Sequence, residues 1–216
     1  MFYNHSLSRR CRRNDPSINM RARLPAACVA GAADMGLAMN LLLRLFLTVM
    51  FSPRRGRLHV LDRCVTPFRV WPNDLDVLRH MTNSRYFAIL DLARVDLMVR
   101  SRMWRQLNRL GWYPVVTLET MRFHRSLELW DRYVVATRVI GWDEKHVFIE
   151  QGFERDGTQV ALGVVRARFL KRSGGTVPTS ELLALAGVAH GSPALPEWIV
   201  QWSNAEGGME VAAARG

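Results

Sequence analysis

The stretch DLDVLRHMTNSRYF, residues 74–87, places two carboxylates (Asp74, Asp76), a histidine (His80) and an asparagine (Asn83) within ten residues. A long segment free of glycine and proline follows, so these groups stand at the mouth of a helix. Attack on an activated carbonyl needs a base or nucleophile, together with donors for the oxyanion that develops. A carboxylate just ahead of a helix supplies the first, and the unpaired N–H groups of the first helical turn supply the second. The same residues admit a plainer role, because aspartates after Pro72 can bond their own backbone as turn residues. His80 can likewise orient the loop or donate to a substrate. Asn83 reads as a helix cap or loop clamp, and Tyr86 as a core aromatic with its hydroxyl bonded nearby.

The helix itself is written in the spacing. Between Asn83 and Leu110, Tyr86, Ile89, Leu90, Ala93, Leu97, Trp104 and Leu107 recur at helical intervals, with Ser101 the one gap. Thr82, Asn83 or Ser84 can cap its start, arginines 100, 102, 105 and 109 gather toward its end, and Gly111 supplies a stop. At about 1.5 Å per residue such a helix is roughly 40 Å long, unless it breaks near Arg100–Ser101. Afterwards the period becomes two. Segments 115–123, 133–140, 147–154 and 164–170 read as antiparallel strands, with Asp156-Gly157 a hairpin turn and GWDEK (141–145) a longer one. One more strand, 65–71, precedes the helix, and residues 180–189 read as a short terminal helix. A one-faced antiparallel sheet needs a cover, and only the long helix is large enough. The expected class is α+β, a long central helix wrapped by an antiparallel sheet of five or more strands.

Charge is distributed unevenly. Residues 1–57 carry ten arginines against Asp15 and Asp34, whereas residues 58–216 carry twenty basic and seventeen acidic groups. The excess therefore belongs to the N-terminal arm, and the folded body shows no stripe for tracking nucleic acid. Cys11, Cys28 and Cys64 are odd in number and widely spaced, and the histidines lack metal-ligand spacing, so no disulfide framework, no metal and a cytoplasmic location are expected. Residues 1–38 read as a basic arm without packed structure, with Met39 an alternative start, and residues 204–216 as a tail. Residues 39–57 read as an apolar helix too short to span a bilayer and interrupted by Arg44. It packs on the domain or a partner, or makes peripheral membrane contact through Arg54, Arg55 and Arg57.

WPNDLDVLRHMTNSRYF, with this order of elements behind it, resembles the signature of hotdog-fold acyl-CoA thioesterases of the 4-hydroxybenzoyl-CoA thioesterase type. That signature is an aromatic residue, an Asp-x-Asp pair, then Gly-His-x-Asn-Asn and a tyrosine opening the central helix. GWDEKHVFIE and LPEWIVQW resemble more particularly the branch called thioesterase superfamily member six. The resemblance covers residues 58–203. It implies a hotdog fold, hydrolysis of an acyl thioester to acid and thiol, and no cofactor beyond the coenzyme A of the substrate. It further implies a homodimer or tetramer, with Asp76 catalytic; beside it His80 is a second catalytic candidate, Asn83 and Tyr86 are candidates for substrate binding, and Arg79 and Arg125 for contact with a ligand phosphate. Glu119 is a candidate second acid or an exposed strand residue, and His124, Arg168, Lys171 and Arg172 are further candidates for phosphate contact. The sequence departs from the pattern at Arg79, which replaces the glycine, and at Thr82, which replaces the first asparagine. Arg79 favours the alternative of a non-catalytic hotdog protein that binds acyl thioesters or lipids.

Overall fold

The computed structural model describes the backbone of residues 30–205 and side chains from residue 41. Of the basic arm read over 1–38, residues 1–29 lie outside the described residues, and 30–38 form the first turns of a helix, which therefore starts earlier than residue 39. Of the tail read over 204–216, residues 206–216 lie outside the described residues. Helix α1 (Ala30–Phe51) leads into a 3-10 turn, then strand β1 (Cys64–Arg69), a second 3-10 turn over Pro72–Asp74, and the loop of interest. The central helix is broken where its apolar stripe has its gap. Helix α2 (Asn83–Arg100) ends at Ser101, Arg102 takes a left-handed conformation with φ 65°, and α3 (Met103–Leu110) continues to Gly111. Strands β2 (Trp112–Phe123), β3 (Arg132–Trp142), β4 (Val147–Arg155) and β5 (Thr158–Lys171) follow. A two-residue β6 (Thr176–Val177) and helices α4 (Thr179–Ala186) and α5 (Glu197–Asn204) complete the order.

All strand pairs are antiparallel, in the order β1-β3-β4-β5-β2, with β6 added to β5. The hairpin between β4 and β5 turns on Asp156 and Gly157, both at positive φ, which matches the twist of the flanking strands. β2 and β3 are consecutive in the chain but not neighbours, because β2 crosses to pair with β5. That crossing carries residues 124–131 past the start of α2 and brings them to the site loop.

The sheet curls around α2. Tyr86, Ile89, Leu90 and Ala93 are buried against Val135, Phe153 and Val165. The helix approaches so closely at Gly163 that a Cβ there would lie 3.0 Å from Leu90 Cδ1. On the outer face, Ile199 of α5 packs on Phe148 and Val164, and Arg166 donates to Ser203 Oγ at 2.9 Å. Helix α1 is turned with its polar groups inward. Arg44, Thr48 and Ser52 follow one another at one-turn spacing and are buried, while Leu42, Leu43, Phe46 and Met50 on other faces are exposed. The inward groups end on two fully buried carboxylates, Arg44 on Asp74 and Ser52 on Asp96, and Arg55 joins Asp96 at 2.6 Å.

Candidate active site

Two backbone ties close the loop from Leu75 to Thr82. Thr82 N–H donates to Asp74 O at 2.9 Å, and Asp76 N–H donates to His80 O at 2.8 Å. Within it the two aspartates have different surroundings. Asp74 is completely buried, and its Oδ2 accepts from Arg44 Nη2 at 2.6 Å and from Trp71 N–H at 2.8 Å. Its Oδ1 lies 3.4 Å from Arg85 Nε. Asp76 is exposed at the turn, and its Oδ1 accepts the N–H groups of Leu78 at 2.8 Å and His80 at 3.1 Å. Asp74 is therefore an internal clamp, and Asp76 is the carboxylate presented to solvent. Arg79 has φ 64°, so the position where the resembled signature has glycine is a left-handed one here.

Helix α2 begins one residue past the loop. Thr82 occupies its N-cap in extended conformation without a side-chain cap bond; its hydroxyl lies 3.2 Å from that of Ser84. The Arg85 N–H donates to Thr82 O at 2.9 Å, and the earlier first-turn N–H groups, of Asn83 and Ser84, have no side-chain cap at the end where the helix dipole favours negative charge. Beside this helix end Asn83, Tyr86 and Arg125 meet in a cleft of about 180 Å³ with His124 and Phe123. Tyr86 accepts the Leu127 N–H at 3.2 Å through its hydroxyl and packs edge-on against Phe123 and Phe153. Burial holds that hydroxyl above the usual tyrosine range, opposed by the Leu127 N–H. His80 bridges to Glu128 through its backbone. The structure therefore joins Asn83, Tyr86 and Arg125 in one cleft and carries Asp76, Arg79 and His80 on the adjoining loop. Arg168, Lys171 and Arg172 lie at the far end of β5, where Lys171 reaches Glu181 at 3.4 Å.

A second feature escaped sequence reasoning. An apolar cavity of about 320 Å³ lies between the later part of α2, α3, α4 and the sheet, lined by residues such as Met98, Met103, Trp142 and Phe169. Asp91 and Arg94 also line it. Arg94, buried, donates to Gln151 Oε1 at 2.6 Å and Glu119 Oε1 at 3.1 Å and pairs with Asp91; Gln151 in turn donates to Leu90 O and Thr137 Oγ1, each at 3.1 Å. Glu119 is half-buried, and burial raises its carboxyl above the usual range against the pull of Arg94. The available signal was Gln151 itself, which shares by alternation the apolar face of Ile149 and Phe153. Eight residues of α2, about 12 Å of helix, separate Asn83 from Asp91. The loop and the cavity are thus at different places along one chain.

Among the described residues no cluster of His, Cys, Asp or Glu could hold a metal, and no helix is long and apolar enough to cross a membrane. A family model described as the thioesterase-like superfamily matches residues 70–203. Protein THEM6 of Xenopus laevis is 34% identical over 133 residues, covering 62% of this chain and 63% of that protein. A probable thioesterase of Saccharomyces cerevisiae is 29% identical over 131 residues, 59% of this chain and 54% of that one. The chain spans about three-fifths of the length of the THEM6 proteins it matches. Among solved structures, the YbaW probable thioesterase of Escherichia coli superposes with a TM-score of 0.54 at 21% identity, covering 56% of this chain and 95% of that one. A Staphylococcus aureus protein solved in complex with CoA gives 0.51 at 13% identity, covering 67% and 96%. At these identities the structural likenesses are likenesses of fold.

Proposed function

The chain belongs to the thioesterase-like superfamily, and from that premise we propose that it hydrolyses acyl-CoA thioesters within the branch that includes the THEM6 proteins. The observation that carries this reading is the pairing of the solvent-facing Asp76 carboxylate with the uncapped start of α2. Asp76 acts as the base for water or as the nucleophile, and the α2 N–H groups receive the carbonyl oxygen as it becomes negative. His80 steadies the loop, Asn83 and Tyr86 shape the cleft, and Arg79 and Arg125 meet the phosphates of coenzyme A. The apolar cavity takes the hydrocarbon of the acyl group. Because loop and cavity lie apart in one chain, the working unit in this proposal is a two-fold dimer in which the loop of one protomer faces the cavity of its partner. The exposed apolar face of α1, with Arg54 and Arg57 beyond it, rests on a membrane surface.

Thiol release from a panel of acyl-CoAs tests the reaction. Asp76→Asn should keep the fold and lower turnover by at least 100-fold, because an amide is neither base nor nucleophile. Equal turnover in the two proteins would remove Asp76 from the mechanism. Two observations favour a second reading, a non-catalytic acyl-thioester binder: Asp76 Oδ1 is already engaged by its own backbone, and Arg79 stands where the resembled signature has glycine. Saturable binding of acyl-CoA without thiol release would establish that reading instead.

A further inference from the structure

A cleft of about 370 Å³ lies where the central helix breaks, between the end of α1, residues 53–57, the last turn of α2 and the first turn of α3. Arg57, Arg100, Arg102 and Arg105 line it, and among the described residues no carboxylate does. Arg100 is the anchor. Its Nε donates to Gly56 O at 2.9 Å and its Nη2 to Arg55 O at 3.0 Å, which ties the chain before Arg57 to the end of α2. Its charge is met by buried Asp96, 3.8 Å away. The other three arginines are exposed, and among the described residues none of their side chains has a hydrogen bond or a carboxylate partner.

The residues at the break run against local preference. A helix normally opens on Ser, Thr, Asp or Asn with an acid three residues later, their side chains turned toward each other. In α3 these two positions are Arg102 and Arg105. The two cations repel as neighbours three apart, and Arg105 stands in the first turn, where the dipole disfavours positive charge. Arg102 is also left-handed, a conformation that after a helix end usually goes to glycine. The end of α2 favours a cation at Arg102, but it leaves Arg105 and the backbone conformation unexplained. Unfavourable choices gathered at one spot are the mark of a binding site.

The remaining lining is apolar: Val49, Pro53, Val99 and Trp104. Val49 belongs to a stripe of α1, with Leu42, Phe46 and Met50 at helical spacing, that is exposed along its length and leads into the cleft. We propose that this cleft binds the phosphate of an anionic phospholipid. Arg57, Arg102 and Arg105 receive the phosphate oxygens, Trp104 flanks the headgroup, and the hydrocarbon continues along Leu42, Phe46 and Val49. The proposal rests on the reading of α1 as membrane-facing and makes that contact selective for phosphate. It does not depend on hydrolysis, and the length of α2, about 27 Å for its 18 residues, separates the cleft from the Asp76 loop.

Flotation of the full chain with phosphatidylcholine vesicles, with and without phosphatidic acid, tests the lipid, and calorimetric titration with glycerol 3-phosphate tests the free headgroup. Phosphatidic acid should tighten vesicle binding about tenfold or more. Arg105→Gln should weaken binding to those vesicles about tenfold, the worth of one hydrogen bond to a charged group. Arg109→Gln, which removes an exposed arginine of the same helix outside the cleft, should not. Arg102→Gly should lose about as much affinity as Arg105→Gln while its melting temperature holds or rises by a few degrees, because glycine suits the left-handed position. Glycerol 3-phosphate bound while vesicles are ignored would overturn the lipid as the source of the phosphate. Equal losses in Arg105→Gln and Arg109→Gln would reduce the effect to diffuse charge, and full affinity in both Arg102→Gly and Arg105→Gln would place the phosphate elsewhere; either overturns the site. Equal binding to both kinds of vesicle would also overturn it while leaving the apolar contact of α1 standing, whereas no binding to either would sink both.

Discussion

Asp74 and Asp76 are chemically the same group two residues apart, and their surroundings assign them opposite duties. Removing Asp74 leaves Arg44 and Arg85 without their buried counter-charge, so Asp74→Ala should cost about 3–5 kcal/mol of stability, whereas Asp76→Asn should leave the denaturation midpoint nearly unchanged. Urea unfolding of the two variants side by side measures this directly. Arg79 offers a complementary test. A non-glycine residue in the left-handed region costs about 1 kcal/mol, so Arg79→Gly should hold or raise the melting temperature by a few degrees. The same change frees backbone access at the loop, so under the proposed hydrolysis thiol release should rise; a fall in both would show that the Arg79 side chain supplies more than it obstructs. The Asp-x-Asp pair, His80, Asn83 and Tyr86 were legible in the sequence because they are local. The assignment of Asp74 was not, since its partner Arg44 lies thirty residues earlier in a helix that reads as simply apolar.

At the scale of elements, period alone found the central helix and the four long strands, because burial on one face imposes 3.6 or 2 whatever the neighbours are. It even marked the helix break, where Ser101 interrupts the stripe. What it could not give was pairing. The order β1-β3-β4-β5-β2 depends on contacts between distant segments, and so does the clamp by which Gln151 of β4 holds Arg94 and Leu90 O of α2. Replacing Gln151 with leucine keeps the bulk but strips a buried guanidinium of an acceptor, which should cost about 2–3 kcal/mol by chemical denaturation. Glu119→Gln should act differently. Burial raises the Glu119 carboxyl, so the folded protein binds its proton more readily than the unfolded chain, and wild-type stability falls as pH rises above the ordinary glutamate range. The neutral amide escapes that loss. Its stability relative to wild type should therefore grow between acid and neutral pH, and melting curves across that range would reveal a flat or opposite trend if Arg94 outweighs burial.

For the molecule as a whole, the two edges of the sheet are not equivalent. β1 is a six-residue strand fronted by α1, which suits it to remain an edge. β2 is twelve residues long, pairs with β5 on one side, and exposes Tyr113, Val116 and Phe123. A long apolar edge of this kind is normally covered, and a second copy placed there about a two-fold axis would join the sheets and bring each Asp76 loop toward the opposite cavity. Sedimentation at micromolar concentration should then return twice the chain mass. Tyr113→Asp puts a charge on an exposed edge position outside the cavity, so the folded signature in circular dichroism should persist while the mass halves. Thiol release should fall with the dimer, because loop and cavity would no longer share one site. A wild-type monomer that still releases thiol from long-chain acyl-CoA would require both halves of the site within a single chain, with the acyl group following the outside of α2 from Asn83 to Asp91 rather than entering a neighbour.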